Sequence, residues 1–282
     1  MKNSPLVSVI IPAYNHELYI EEALQSVINQ TYKNIQLVVI NDGSIDGTHS
    51  KITNFIEKNN NFNIEYLSKP NEGICRTLNK GLELAKGKYV ALLASDDMCM
   101  PDRIEKQLQL MEENSNIGLV FSDHYFMRFN QLTHIKATDY KPNIKKCFIN
   151  NIQNVNMYEK LLTDNIIPAL TVFIRKECFD KVGGFDNNLW AEDYDMWLRI
   201  SKEFPIAFID EPLAYYRIHD KNLSHIAVSV ATFKIIRAIM KKQYNEEPLK
   251  HQYLKKTYLF IKLWYTLIKN RLLRVLVIEK KY

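Results

Sequence analysis

The first 125 residues alternate between two hydrophobic periods. Leu6–Ile11 is an unbroken apolar, β-branched run stopped by Pro12, the pattern of a strand buried on both faces. Glu17–Asn29 then places Ile20, Ala23, Leu24, Val27 and Ile28 at helical spacing. Ile35–Ile40 repeats the strand pattern and ends in the turn-forming Asn41-Asp42-Gly43-Ser44. Thr48–Lys58 predicts a helix with Ile52, Phe55 and Ile56 inward, and Asn63–Leu67 a short strand. Gly73–Lys86 predicts a helix closed by Gly87 as a left-handed cap. Tyr89–Ala94 reads as a third long strand, Pro101 opens a helix running to about Asn114, and Ile117–Phe121 is a further strand. After an irregular, polar excursion from Asn130 to Asn165, the pattern predicts a strand over Thr171–Arg175 and a helix over Glu192–Phe204. A long strand or strand pair follows over Ile206–Ile218, and everything from about Val228 onward can be helical. No glycine follows Gly184, which leaves few tight turns for the last 98 residues.

Strand and helix in strict alternation mean parallel strands with crossover helices, an α/β sandwich. Ligands in such sheets bind beyond the carboxyl ends of the strands. The informative residues are therefore Pro12-Ala13-Tyr14-Asn15, Asn41-Asp42-Gly43-Ser44 and Ser95-Asp96-Asp97. Adjacent carboxylates such as Asp96 and Asp97 repel unless a cation or a donor lies between them, and hard oxygen ligands suit Mg²⁺ or Mn²⁺. A solvated turn, or Asp97 capping the next helix, is the plain alternative. Asp42 can accept from a base or sugar, or simply form the turn before Gly43. Acids in the first turn of a helix routinely complement its dipole, and Asp195 is spaced to pair with Arg199 at the surface. That accounts less well for three acids among Glu192-Asp193-Tyr194-Asp195, beside Trp190 and Trp197, where one acid can serve as a general base. Gly183-Gly184-Phe185 reads as a flexible turn that lets a substrate approach the backbone. Tyr216-Arg217-Ile218-His219 ends a strand with groups suited to metal or diphosphate, although a lone His is more often a surface residue. The first strand–helix turn has no GxGxxG, and no Walker A loop exists, which argues against a dinucleotide dehydrogenase, an ATPase or a kinase.

Composition changes this picture in one respect. Apolar residues make up 46% and charged residues 24%, as in an ordinary soluble globular protein. The net charge of +5 divides into a body near −3 and a segment from Lys241 to Tyr282 near +8. That excludes a strongly basic nucleic-acid binder built on the body. Cys75, Cys99, Cys147 and Cys178 have neither CxxC nor zinc spacing and read as reduced cytosolic thiols. Residues 1–5 lack signal-peptide architecture. The apolar stretch Leu259–Ile278 is interrupted by Lys262, Lys269, Arg271 and Arg274, which argues against a membrane span.

The motifs, taken in order, resemble the inverting family 2 glycosyltransferases of the GT-A fold from about Pro5 to Ser224. The resemblance is carried by Val9–Asn15, Val39–Thr48, Asn71-Glu72-Gly73, Leu93–Asp97, Gly183-Gly184-Phe185, Glu192–Arg199 and Tyr216–His219. It implies a catalytic domain over residues 1–225, and the charge and spacing beyond it predict a basic amphipathic helical tail over 226–282. It further implies transfer of a sugar from a UDP-sugar to a hydroxyl of a glycan acceptor, with inversion and with Mn²⁺ or Mg²⁺. By that resemblance Pro12, Ala13, Tyr14, Asn15 and Asp42 line the nucleotide, and Asn71 and Arg76 close over it. Ser95, Asp96 and Arg217 contact the donor, and Asp97 and His219 hold the metal. Asp193 is the base with Glu192 beside it, and Gly183, Gly184, Phe185 and Trp190 face the acceptor. Ser95 stands where the common Asp-x-Asp pattern has its first carboxylate. The tail interleaves Lys255, Lys262 and Lys269 with apolar residues. It suits either peripheral contact with an anionic membrane, where a lipid-linked oligosaccharide of O-antigen or similar polysaccharide assembly would be met at the cytoplasmic face, or packing on the body or in a homodimer. A degenerate, non-catalytic transferase module is the alternative reading.

Overall fold

The computed structural model describes residues 4–128, 131–189, 192–220 and 222. Trp190 and the tail over 226–282 lie outside the described residues. The strands are β1 (Val7–Ala13), β2 (Ile35–Asp42), β3 (Ile64–Lys69), β4 (Tyr89–Leu92), β5 (Met98–Cys99), β6 (Leu119–Arg128), β7 (Gln131–Lys136), β8 (Phe148–Ile149), β9 (Ile152–Gln153), β10 (Phe173–Arg175) and β11 (Ile206–Ile218). The helices are α1 (Ile20–Ile28), α2 (Thr48–Lys58), α3 (Ile74–Leu84), α4 (Arg103–Glu113), α5 (Ala137–Tyr140), α6 (Met157–Thr163), α7 (Glu177–Val182) and α8 (Glu192–Glu203).

The strands join one sheet in the order β3-β2-β1-β4-β10-β6-β11-β9-β8, with β5 on β11 and β7 on β6. The pairs β1–β2, β1–β4, β2–β3 and β6–β11 are parallel. β10 is inserted antiparallel between β4 and β6, so the sheet is mixed at its centre. Alternation along β1 and β2 feeds two cores. Val7, Val9, Ile11, Leu37 and Val39 pack with Ile20 and Leu24 of α1 on one face. Ile10, Val38 and Ile40 pack with Leu78 of α3 on the other, the side that also holds α6, α7 and α8. Full burial of each such side chain stabilises by roughly 1.5–3 kcal/mol, which is why runs apolar on both faces become central strands.

Gly87 is not a left-handed cap. α3 ends at Ala85 in extended backbone. A Cβ on Gly87 would lie 2.6 Å from Ser8 N, 2.7 Å from Tyr89 O and 2.8 Å from Leu6 O, so the glycine is required by close packing at the foot of β1. Two buried polar side chains seal the same end: the Ser8 hydroxyl donates to Gln36 Oε1 at 2.6 Å and accepts from Gly87 N–H at 2.9 Å.

Chain connection leaves β1 toward β2 on one side, while β4 lies on its other side. The crevice between the β1 and β4 carboxyl ends is thus a topological switch point, where open α/β sheets bind ligands. Residues 13–19 and 93–97 border it. β11 reaches the same place because β5, directly after Asp97, pairs with it: Tyr215 opposes Met98 and Ala214 opposes Cys99. Among the described residues no helix is long and apolar enough to cross a membrane, and all four cysteines are free and buried.

Candidate active site

The loops after β1 and β2 are stitched together by side chains. Asn15 adopts a left-handed backbone, with φ of 53°. Its N–H donates to Ser44 Oγ at 3.0 Å, and its Oδ1 accepts from Ile45 N–H at 2.9 Å. The His16 N–H donates to Thr48 Oγ1 at 2.9 Å. Ala13 is buried, while Tyr14 projects with 46% of its surface exposed. Asp42, at the end of β2, accepts from Glu72 N–H at 2.9 Å, from Gly73 N–H at 3.0 Å and from Lys69 Nζ. Burial alone would raise its pKa, but these donors and the Lys69 charge outweigh burial and hold it below the ordinary value. Gly43, at φ +70°, approaches the Asn71 backbone so closely that a Cβ would lie 2.5 Å from Asn71 N. Asn71 and Arg76 are exposed on this rim.

Asp96 and Asp97 diverge although they are neighbours. Asp96 Oδ2 lies 2.9 Å from His219 Nε2, 3.8 Å from His16 Nε2 and 3.3 Å from Asn222 Nδ2. Donor atoms of His16, Asp96 and His219 all fall within 4.8 Å of one another. The Tyr19 ring stacks on His219 at 4.7 Å and fixes its plane. Burial opposes the charge on Asp96, yet the His219 hydrogen bond and the two imidazoles keep its pKa below the usual value. Asp97 is buried behind this cluster, and its Oδ1 accepts from the Arg217 N–H at 2.8 Å. Burial, then the Asp96 charge, push its pKa well above the carboxylate range. The structure therefore brings Asp96, and not Asp97, to His219. Arg217 likewise turns inward: it is 1% exposed, donates to the Asp96 carbonyl at 2.8 Å, bonds Glu22 and lies over the Tyr19 ring at 4.8 Å.

The second acidic pair opens α8. Cys75 Sγ contacts the Leu189 carbonyl at 2.9 Å, which ties the approach to α8 to the start of α3, one turn beyond the loop held by Asp42. Burial, then the neighbouring Asp193 charge, push Glu192 up to about 8. Burial also raises Asp193, against the pull of the Tyr194 N–H, which donates to its Oδ1 at 2.6 Å. Among the described residues no cation pairs with either carboxyl, and a carboxylate raised toward neutrality in that way suits proton transfer.

Gly183-Gly184-Phe185 is pinned rather than flexible. Asn79 of α3 donates to the Phe185 carbonyl at 2.8 Å and accepts from its N–H at 2.7 Å. Arg199 donates to the Val182, Gly183 and Gly184 carbonyls and to Asp195 at 2.8 Å. Asp195 is fully buried, so its pair with Arg199 is an internal clamp and not a surface bridge. Gly183 needs its φ of +81°, and Phe185 faces the core.

Sequence reasoning missed His16, Tyr19 and Lys69. His16 follows Asn15 directly at the carboxyl end of a central strand, and that position was the available signal. Lys69 closes β3, a strand end that carries no acidic residue of its own.

The family model for glycosyl transferase family 2 matches residues 8–177. An uncharacterised glycosyltransferase of Rickettsia prowazekii is 34% identical over 227 residues, covering 80% of this chain and 68% of that protein. The putative teichuronic acid biosynthesis glycosyltransferase TuaG of Bacillus subtilis is 34% identical over 221 residues, covering 78% and 82%. Among solved structures, a Pyrobaculum calidifontis mannosyltransferase in complex with GDP-Man and Mn²⁺ superposes with a TM-score of 0.70 at 17% identity, over 92% of this chain and 70% of that one. S. aureus TarS 1–349 in complex with UDP-GlcNAc superposes at 0.67 with 19% identity, over 91% and 71%. The two structural likenesses establish the GT-A fold, and the family match together with the sequence relatives shows that the chain belongs to glycosyl transferase family 2.

Proposed function

We propose that this chain is an inverting, metal-dependent glycosyltransferase that moves a sugar from a UDP-sugar to a hydroxyl of a glycan acceptor in cell-surface polysaccharide assembly. The observation that carries the reading is the presence of two acidic pairs with opposed electrostatics. In one, imidazoles hold Asp96 at the switch point, and in the other, at the α8 N-terminus, both carboxyls are half-buried with no cation paired to them among the described residues. The names of TuaG and of the UDP-GlcNAc-bound TarS support the polysaccharide setting and the UDP donor.

In this reading Ala13, Tyr14, Asn15 and Asp42 receive the nucleotide, and Lys69, bonded to Asp42, reads it from the other side. Asn71 and Arg76 cover it. Two imidazole nitrogens and a carboxylate oxygen within 4.8 Å fit a divalent ion such as Mn²⁺. Asp96 and His219 would hold that ion, which supplies positive charge for the departing diphosphate. Asp193 takes the acceptor hydroxyl proton while Glu192 beside it stays protonated. The hydroxyl oxygen bonds to the anomeric carbon, and the carbon–oxygen bond to the diphosphate breaks with its electron pair leaving on phosphate. The turn at Gly183–Phe185 shapes the acceptor side, and the basic tail suits a lipid-linked acceptor at the cytoplasmic leaflet. A panel of UDP-sugars, assayed for Mn²⁺-dependent hydrolysis by the full chain, tests the reading. UDP with Mn²⁺ is expected to raise the melting temperature. No stabilisation by UDP with either Mn²⁺ or Mg²⁺, and no turnover of any UDP-sugar, would overturn it.

A further inference from the structure

We infer that His16 is a third protein ligand of the cation, making the site a two-imidazole, one-carboxylate set, with Ser95 holding the His16 ring in its ligating tautomer. The inference rests on the metal-dependent reading above and adds to it a ligand from the loop after β1. Imidazole binds a metal only through an unprotonated nitrogen, and a hydrogen bond at the other nitrogen selects which one that is. His16 Nδ1 lies 2.7 Å from Ser95 Oγ. With Nδ1–H donating to that hydroxyl, the unprotonated nitrogen is Nε2, the atom that lies 3.8 Å from Asp96 Oδ2.

The spacing agrees with a shared ion. Donors bound at about 2.1–2.2 Å to one octahedral ion lie roughly 3 Å apart when cis and roughly 4.3 Å apart when trans. The observed separations are 2.9 Å for His219–Asp96 and 3.8 Å for His16–Asp96. The backbone under His16 is also fixed in advance. Its N–H is bonded to Thr48 Oγ1, and the preceding Asn15 is locked between Ser44 and Ile45. The three ligands come from the ends of β1, β4 and β11, the strand ends that converge on the switch point. Two nitrogens also set the ion's identity. Mg²⁺ favours an oxygen shell, whereas Mn²⁺ and its transition-metal neighbours accept imidazole. The site should therefore discriminate for Mn²⁺ over Mg²⁺ through His16.

The test is Mn²⁺ binding to the full chain at neutral pH, with and without UDP. Affinity is read from the electron paramagnetic resonance of free Mn²⁺, and bound imidazole is counted by nitrogen couplings in the pulsed spectrum. Wild type should show two imidazole nitrogens, and His16→Ala one, with about 10- to 100-fold weaker Mn²⁺ binding and a smaller change for Mg²⁺. Ser95→Ala should weaken Mn²⁺ by less while keeping both couplings. Far-UV circular dichroism confirms that each variant is folded. One nitrogen in wild type, or a His16→Ala protein with unchanged couplings and affinity, overturns the His16 assignment and leaves the transferase reading standing. A wild type that binds neither Mn²⁺ nor Mg²⁺ even with UDP overturns both.

Discussion

Asp96-Asp97 and Glu192-Asp193 are the same chemical object, two adjacent acids, placed in different surroundings. At the switch point the imidazoles of His16 and His219 hold Asp96 ionised, and Asp97 absorbs the repulsion behind it, tied to the Arg217 backbone. At the start of α8 both carboxyls are raised by burial, and Asp193 adds its repulsion to Glu192. The first environment prepares a permanent negative charge that can receive a cation. The second prepares a carboxylate whose affinity for a proton lies near neutrality. Donor activation and acceptor deprotonation need those two opposite properties, and one fold supplies both by changing what surrounds the pair.

The largest effect should come from the second pair. Asp193→Asn is expected to lower kcat by about 10²–10⁴-fold while the melting-temperature shift with UDP and Mn²⁺ is retained. An equal loss of UDP binding would erase the division of labour. Next comes Asp96→Asn, which should abolish the Mn²⁺-dependent part of the UDP stabilisation, worth about 2.7 kcal/mol at 100-fold excess over Kd. Asp97 separates ligation from positioning. Asp97→Asn keeps an acceptor for the Arg217 N–H and should retain Mn²⁺ affinity, whereas Asp97→Ala should cost about 1–3 kcal/mol in chemical denaturation by leaving that buried N–H unpaired. Loss of Mn²⁺ binding in Asp97→Asn would return the metal to Asp97.

The last effect is a pH dependence. Glu192 moves from 4.5 to about 8 on folding. Between those values the folded chain holds a proton that the unfolded chain has released, so this group's contribution to stability falls as pH rises. Glu192→Gln should remove that fall, giving a melting temperature that declines less than wild type across the window. Parallel curves for the two proteins would place Glu192 in open solvent.

Local elements were largely legible. Thr48–Lys58 and Ile206–Ile218 coincide with α2 and β11, β2 adds only Asn41 and Asp42 at its carboxyl end, and β1 starts one residue later than the pattern, at Val7, and runs on to Ala13. β6 runs past the Ile117–Phe121 that the apolar pattern marks, because its half beyond Phe121 is polar and aromatic yet pairs with β11 as far as Arg128. The antiparallel β10 was not legible as such, since a three-residue buried run carries no direction. The glycines show the same limit: Gly43 and Gly183 follow from their turns, but the crowding at Gly87 comes from β1, about 80 residues earlier in the chain.

What the sequence determined by itself was the succession of strands and helices, the acidic and polar residues that follow each strand, and the resemblance those motifs carry. Hydrophobic periodicity and turn chemistry act over a few residues, so they can be read in one pass along the chain. Only the tertiary structure decided that Asp96 meets the histidines, that His16 joins them through Ser95, and that Arg217 and Phe185 turn inward. Those contacts span 79 residues between His16 and Ser95, and 123 between Asp96 and His219. They arise because the sheet order sets β1 beside β4 and clamps β11 through β5 onto the same end. Asp96 and Asp97 lie in the turn between β4 and β5, and which of them faces the crevice is set by how β11 holds that turn, so the choice between them lay beyond the reach of local pattern.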